Sequence, residues 1–155
     1  MAAFNKIQLA SEMFVEAHAR YTNATRDIDY VVSILLSGAI GGIISPLLEE
    51  QGGHSMHELL ARISNAIAEP GEDVTHEGMF RQTYNSLKHA GKKRKKAKGI
   101  AASEDLEIQT DLKQEAAHML DAAKNDFRHI TVLPQIKDSL PESFILLLQL
   151  DADYA

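Results

Sequence analysis

The stretch Tyr30-Val31-Val32-Ser33-Ile34-Leu35-Leu36-Ser37-Gly38-Ala39-Ile40-Gly41-Gly42-Ile43-Ile44-Ser45-Pro46-Leu47-Leu48 contains nineteen residues without a charge. That length suffices to cross a bilayer as a helix. Three serines, three glycines and a proline dilute it, however, and the flanks Arg26-Asp27-Ile28-Asp29 and Glu49-Glu50 offer no basic anchors. A helix that is apolar on all sides yet poorly anchored reads as the central helix of a soluble domain. Gly38 and Gly42 are spaced for close approach of a neighbouring helix. Pro46 is expected to bend the helix, and Gly52-Gly53 to end it.

Outward from this segment, helical periodicity dominates and strand alternation is absent. Phe4, Ile7, Ala10, Phe14, Ala17 and Tyr21 mark a first amphipathic helix over about 5–23, before the second over about 26–50. Ser55-Met56-His57-Glu58 reads as a capping box opening a third helix to about Ala68, stopped by Pro70-Gly71. Thr75 is positioned to cap a fourth, with Met79, Phe80, Thr83 and Leu87 as its inner face, ending at Ala90-Gly91. Thr110 and Asp111 start the clearest helix, whose stripe is Leu112, Ala116, Met119, Leu120, Ala123, Phe127 and Ile130. After Pro134, Ser139-Leu140-Pro141-Glu142 reads as another capping box before a short helix from Phe144 to Leu150. The expectation is one all-α domain over 1–155, an up-and-down bundle of about five to six helices.

Composition removes several function classes. The chain has 155 residues and no Cys, so disulfides and thiolate chemistry are excluded. The N-terminus lacks a basic-then-apolar leader, which with the membrane reading above predicts a cytoplasmic protein without a membrane partner. The net charge of −6 is uneven: six cations, Lys92, Lys93, Arg94, Lys95, Lys96 and Lys98, lie within seven positions, and without them the balance is −12. The segment 92–103 reads as a basic, mobile loop that would attract phosphates to an otherwise repelling body. A solubilising loop is the plainer reading of the same residues. The run contains no aromatic residue for base stacking.

Glu115-x-x-His118 has the spacing of carboxylate-bridged di-iron bundles, but Asp126-x-x-His129 lies on the same helix rather than a facing one. His54-x-x-His57 lacks an obvious third ligand. No metal and no cofactor are therefore predicted, and Met56, Met79 and Met119 are read as core filler.

Two helix ends repeat one pattern: Asn85 and His89, and again Asn125 and His129, stand four apart on faces opposite the apolar stripe. Arg81 adds a cation one turn before Asn85. A His beside an Asn and a cation is a constellation able to act on a phosphodiester, with His89 as acid or base. Basic residues at the negative end of a helix dipole account for the same pattern without chemistry.

These residues carry a resemblance. Asp29 to Leu48, centred on Ser33-Ile34-Leu35-Leu36-Ser37-Gly38-Ala39, resembles the small-residue helix of the HEPN-like (higher eukaryote and prokaryote nucleotide-binding) bundle family. Tyr84-Asn85-Ser86-Leu87-Lys88-His89-Ala90-Gly91 is similar to that family's Arg-Asn-x-x-x-His signature. Asp105-Leu106-Glu107-Ile108, Glu115 to Ala123 and Asn125 continue the match over about two thirds of the chain. The resemblance implies a homodimeric bundle whose paired signature helices form a cleft. If the chain is an enzyme, it implies a metal-independent endoribonuclease, with His89 as acid or base, Asn85 positioning it and Arg81 standing in for the missing cation. It also implies RNA as a ligand, to which Lys88 and the run Lys92, Lys93, Arg94, Lys95, Lys96 and Lys98 would contribute, and a nucleotidyltransferase-type antitoxin as a partner. The signature is degenerate: its arginine position falls on Tyr84, on the apolar side of the helical wheel. Residual or lost cleavage is therefore expected. The alternative is a noncatalytic bundle acting through protein–protein contacts, as a toxin–antitoxin or assembly component.

Overall fold

A computed structural model describes residues 1–89 and 101–149. Among these residues the chain forms seven α-helices and no strand: α1 Lys6–Thr22, α2 Asp27–Glu50, α3 Met56–Ile67, α4 Gln82–Lys88, α5 Leu112–Ile130, α6 Pro134–Lys137 and α7 Glu142–Gln149. Short 3-10 turns cover Glu77–Arg81 and Ala102–Glu104. The result is an all-α, up-and-down bundle. The basic run Lys92–Lys98 lies outside the described residues, so the expectation of a mobile loop there is not addressed.

α2 is the hub, packed most extensively against α5 and then α1. It is the one described helix long and apolar enough to cross a membrane by length and composition. In the bundle it buries Ile34, Ile40, Ile44 and Leu48 among its neighbours, as a central core helix does. The helix runs through Pro46 to Glu50. It ends in a Schellman motif, where Gly53 N–H donates to Leu48 O and Gly52 N–H to Glu49 O, both at 2.9 Å. Gly52 takes φ +72°, the left-handed conformation such a stop requires. At the other end, the buried Asp29 carboxylate accepts the Thr25 and Arg26 N–H groups at 3.2 and 3.1 Å. The Thr25 bond, partly opposed by burial and helped by Arg26, holds Asp29 below its ordinary pKa.

The lower core centres on Phe14 of α1, Phe127 of α5 and Phe144 of α7. Their rings meet edge to face, with centroids 6.0, 5.8 and 4.8 Å apart. This cluster explains why so short a helix as α7 stays docked. Arg128 Nε further donates to Leu148 O at 2.6 Å, satisfying a carbonyl at the end of α7.

Several local expectations are corrected. The fourth helix does not span 75–90. Thr75 exchanges two backbone hydrogen bonds of 2.7 Å with the Asn65 side chain, which clasps the loop to α3 and removes Thr75 as a cap. A 3-10 turn then precedes a seven-residue α4. Its buried side is Thr83 and Tyr84, while Met79 is 56% exposed and thus not core filler. Ser139 does not cap α7, because its hydroxyl donates backwards to Ile136 O at 2.7 Å. Ser55 does accept from Glu58 N–H at 3.3 Å, but the Glu58 carboxylate turns to His54 and Arg62. Phe4 is exposed, one turn ahead of the stripe that α1 buries.

Candidate functional site

The close approach anticipated on α2 occurs at one glycine only. A Cβ on Gly38 would overlap the Tyr84 ring, whereas a Cβ on Gly42 would meet nothing. Tyr84 therefore lies flat on the bare backbone of α2, 6% exposed, in the apolar cluster of Ile34, Ala116 and Met119. Two cations flank its ring: Arg81 Cζ at 5.0 Å and Lys88 Nζ at 4.8 Å from the centroid. Arg81 Nη2 also donates to Gly38 O at 3.0 Å. A Cβ on Gly41 would meet the Arg81 guanidinium at an ordinary contact distance of 3.8 Å. Arg81 is thus turned inward, to α2.

Asn85 and His89 lie on the opposite, exposed side of α4. His89 stands past the helix end in extended conformation, its N–H donating to Asn85 O at 3.2 Å. Lys88 is exposed beside it. Asn85, Lys88 and His89 are all exposed at this end of α4, with the Lys88 ammonium over the Tyr84 ring, and Arg81 is held to α2. Of the second pair, His129 is exposed and Asn125 half-buried.

Behind Arg81 lies a buried polar seam. His57 of α3 is 7% exposed and Asp126 of α5 is 2% exposed. The Asp126 carboxylate accepts the Met56 N–H at 2.6 Å, fastening the start of α3 to α5. His57 packs on His118, with ring centroids 5.2 Å apart. Burial pushes Asp126 up to about 6, against the Met56 hydrogen bond and the Arg81 charge, and Glu77 adds to the rise. Burial, then His118 and Arg81, lowers His57 to about 4, so it is neutral at pH 7. His57 Nε2, Arg81 Nε and the hydroxyls of Ser33 and Ser37 have no hydrogen-bond partner among the described residues. The seam can exchange protons, but its two titrating groups are closed to a substrate.

The sequence offered His57 and Asp126 only as halves of metal-spaced pairs, with His54 and His129, and did not join them in a buried seam. The readable trace was the four-residue step His118, Ala122, Asp126, a second stripe on α5 beside its apolar one. Among the described residues no three His, Asp or Glu side chains gather as metal ligands.

A cleft of about 710 Å³ opens between α4, the stretch 105–110 and the first turns of α5. Asp105, Glu107 and Glu115 line it with His118 and Phe80, and no Lys or Arg lines it among the described residues. Compared with models of known protein families, with curated proteins and with solved structures, the chain shows no match. The all-α bundle therefore stands on its own geometry, without a closer family attached.

Proposed function

We propose that this chain is a HEPN-like bundle that binds RNA or a related phosphate ligand at the exposed end of α4 and has lost the ability to cleave it. The observation supporting this is the division of labour on α4. Asn85, Lys88 and His89 are exposed at the end that leads into the six-cation run, while Arg81 is bonded to Gly38 O. A metal-independent ribonuclease needs a cation at the scissile phosphate beside its His. Here Tyr84 fills the signature position as a packing residue. Phosphate affinity then rests on Lys88 and Lys92–Lys98, and it falls steeply with salt. The same reading makes the protein a cytoplasmic homodimer, with a nucleotidyltransferase-type protein as its potential partner.

Salt-titrated binding of a fluorescent RNA oligomer tests this. Neutralising Lys92, Lys93, Arg94, Lys95, Lys96 and Lys98 together abolishes binding at low salt, and neither the parent protein nor His89→Ala cleaves the RNA. Absence of low-salt affinity in the parent protein refutes the proposal. Cleavage that disappears in folded His89→Ala shows the activity to be retained.

One observation favours a second reading, that of a noncatalytic interaction module. Ile63 and Ile67 of α3 are one turn apart and 58% and 79% exposed, an apolar stripe without a partner among the described residues. Sedimentation of Ile63→Lys beside the parent protein separates the two, since loss of an oligomer without loss of RNA binding assigns this face to protein contact.

A further inference from the structure

Among the described residues α2 is flanked by α1, α5 and α4, and one side of it stays open. It packs most extensively on α5 and α1, and Tyr84 of α4 lies on Gly38. Even so, only 39% of its most apolar eighteen-residue stretch is buried. At about 100° per residue, Ile28, Val32, Leu35, Ala39, Gly42 and Pro46 fall within about 80° of arc. Ile28 is 49% exposed, Gly42 and Pro46 are exposed, and Val32, Leu35 and Ala39 are half-buried. None of the six is polar, whereas the solvated face of a helix ordinarily carries charge. The middle of this face is shallow. A Cβ on Gly42 would meet nothing, although one on Gly38, a turn earlier, would strike Tyr84.

Charge at the two ends of the face selects what can cover it. Asp27 at the start and Glu49 and Glu50 at the end are exposed, and α2 contains no Lys or Arg, so an anionic bilayer is repelled from both ends. At the N-cap, the Arg26 side chain is 71% exposed and reaches Asp29 only at 3.7 Å. A second α2 running antiparallel suits this layout. Set about Gly38–Ala39, it brings Leu35 of one copy against Gly42 of the other, Val32 against Pro46, and Arg26 against Glu50. A side chain thus meets the open glycine and a cation meets an anion, about one shared midpoint.

We propose that the open face of α2 is a self-association surface, on which a second copy of this chain lays its own α2 antiparallel, with Leu35 in the gap at Gly42. The inference rests on the homodimer of the proposed function and names its face; it does not need phosphate binding at α4. From Ile28 to Pro46 the face is about 27 Å long and about 10 Å wide. That is about a third of the roughly 800 Å² per partner in a standard interface. The pairing is therefore weak and concentration-dependent rather than obligate.

Sedimentation velocity across a micromolar concentration series tests the face. The parent protein should pass from monomer to dimer, and Gly42→Leu should weaken that step by about tenfold or more, because the added side chain fills the gap for Leu35. Within one chain the same substitution meets open space, so circular dichroism and urea denaturation should show the fold intact. Glu50→Arg should weaken the dimer by about threefold, and Arg26→Glu added to it should restore the affinity. A parallel pair would place like residues together and show no such restoration, which overturns the antiparallel arrangement. Ile63→Lys, on α3, should leave the dimer unchanged. A dimer that survives Gly42→Leu refutes this face while the homodimer stands, and loss in Ile63→Lys alone moves the contact to α3. A parent protein that stays monomeric throughout refutes both, and its co-sedimentation with neutral phosphatidylcholine vesicles would assign the face to lipid instead. RNA affinity per chain, measured in parallel, should be the same in Gly42→Leu as in the parent protein, which separates failure here from failure at the α4 end.

Discussion

Asp126→Asn isolates the electrostatics of the buried seam. Folded Asp126 titrates at about 6 against an ordinary 3.8, because burial disfavours its charge. In that interval the folded chain holds a proton that the unfolded chain lacks, so this group adds stability as pH falls through 6. His57 runs oppositely: folded it titrates at about 4 against 6.5. Its contribution is intact above 6.5 and is lost as pH falls toward 4. At about 1.4 kcal/mol per unit, each displacement of a little over two units corresponds to about 3 kcal/mol. The two effects therefore nearly cancel in the parent protein. The Asn side chain keeps an acceptor for the Met56 N–H but carries no charge. The variant should be up to about 3 kcal/mol more stable than the parent at pH 7, and the gap should close by about pH 4. Urea denaturation followed by circular dichroism, at half-unit steps over that range, measures the difference, and the other carboxylates drop out of it. His57→Gln should show the mirror image, gaining on the parent as pH falls. A constant offset between Asp126→Asn and the parent across the range refutes the reasoning.

Gly38→Ala drives a methyl group into the Tyr84 ring and should cost about 1–3 kcal/mol or more of stability. An unchanged thermal midpoint would contradict the packing of Tyr84 on α2. Phe127→Ala removes the ring shared by Phe14 and Phe144 and should cost about 3–5 kcal/mol in urea denaturation. It should also loosen α7, seen as faster amide exchange there. Gly52→Ala places a side chain at φ +72° and should lower stability by about 1 kcal/mol. A neutral result would mean that α2 ends by another route.

How far each element was legible depends on what decided it. α5 was read closely because its seven-residue stripe is set by burial alone, and six of those residues are buried. α2 was recognised as central because the nineteen uncharged residues from Tyr30 to Leu48 leave no surface face. The starts of α4 and α7 were misread because Thr75 and Ser139 have hydroxyls that suit a cap but bond elsewhere, Thr75 to the Ser64 hydroxyl and Ser139 to Ile136 O. A hydroxyl's preference among nearby partners depends on how the chain returns on itself. α6, four residues long, carries no periodicity to read. At the candidate site, Tyr84's place on the apolar side was readable from the wheel. Arg81's turn toward Gly38 O was not, since it depends on a carbonyl brought alongside from 43 residues earlier in the chain. The burial of His57 and Asp126 was hidden for the same reason: each looks like a surface residue until α3 folds across α5.

The central place of α2 has a consequence during synthesis. Its last residue, Glu50, is made about 80 residues before α5 is finished at Ile130. At about 5–20 residues per second, the growing chain carries a helix with an uncharged centre without its principal cover for about 4–16 s. Over that interval the nascent chain displays the length and hydropathy by which membrane-insertion machinery selects its clients. A ribosome stalled before residue 112 should therefore present α2 to chaperones or to the membrane, and one stalled beyond residue 149, with the bundle closed, should not.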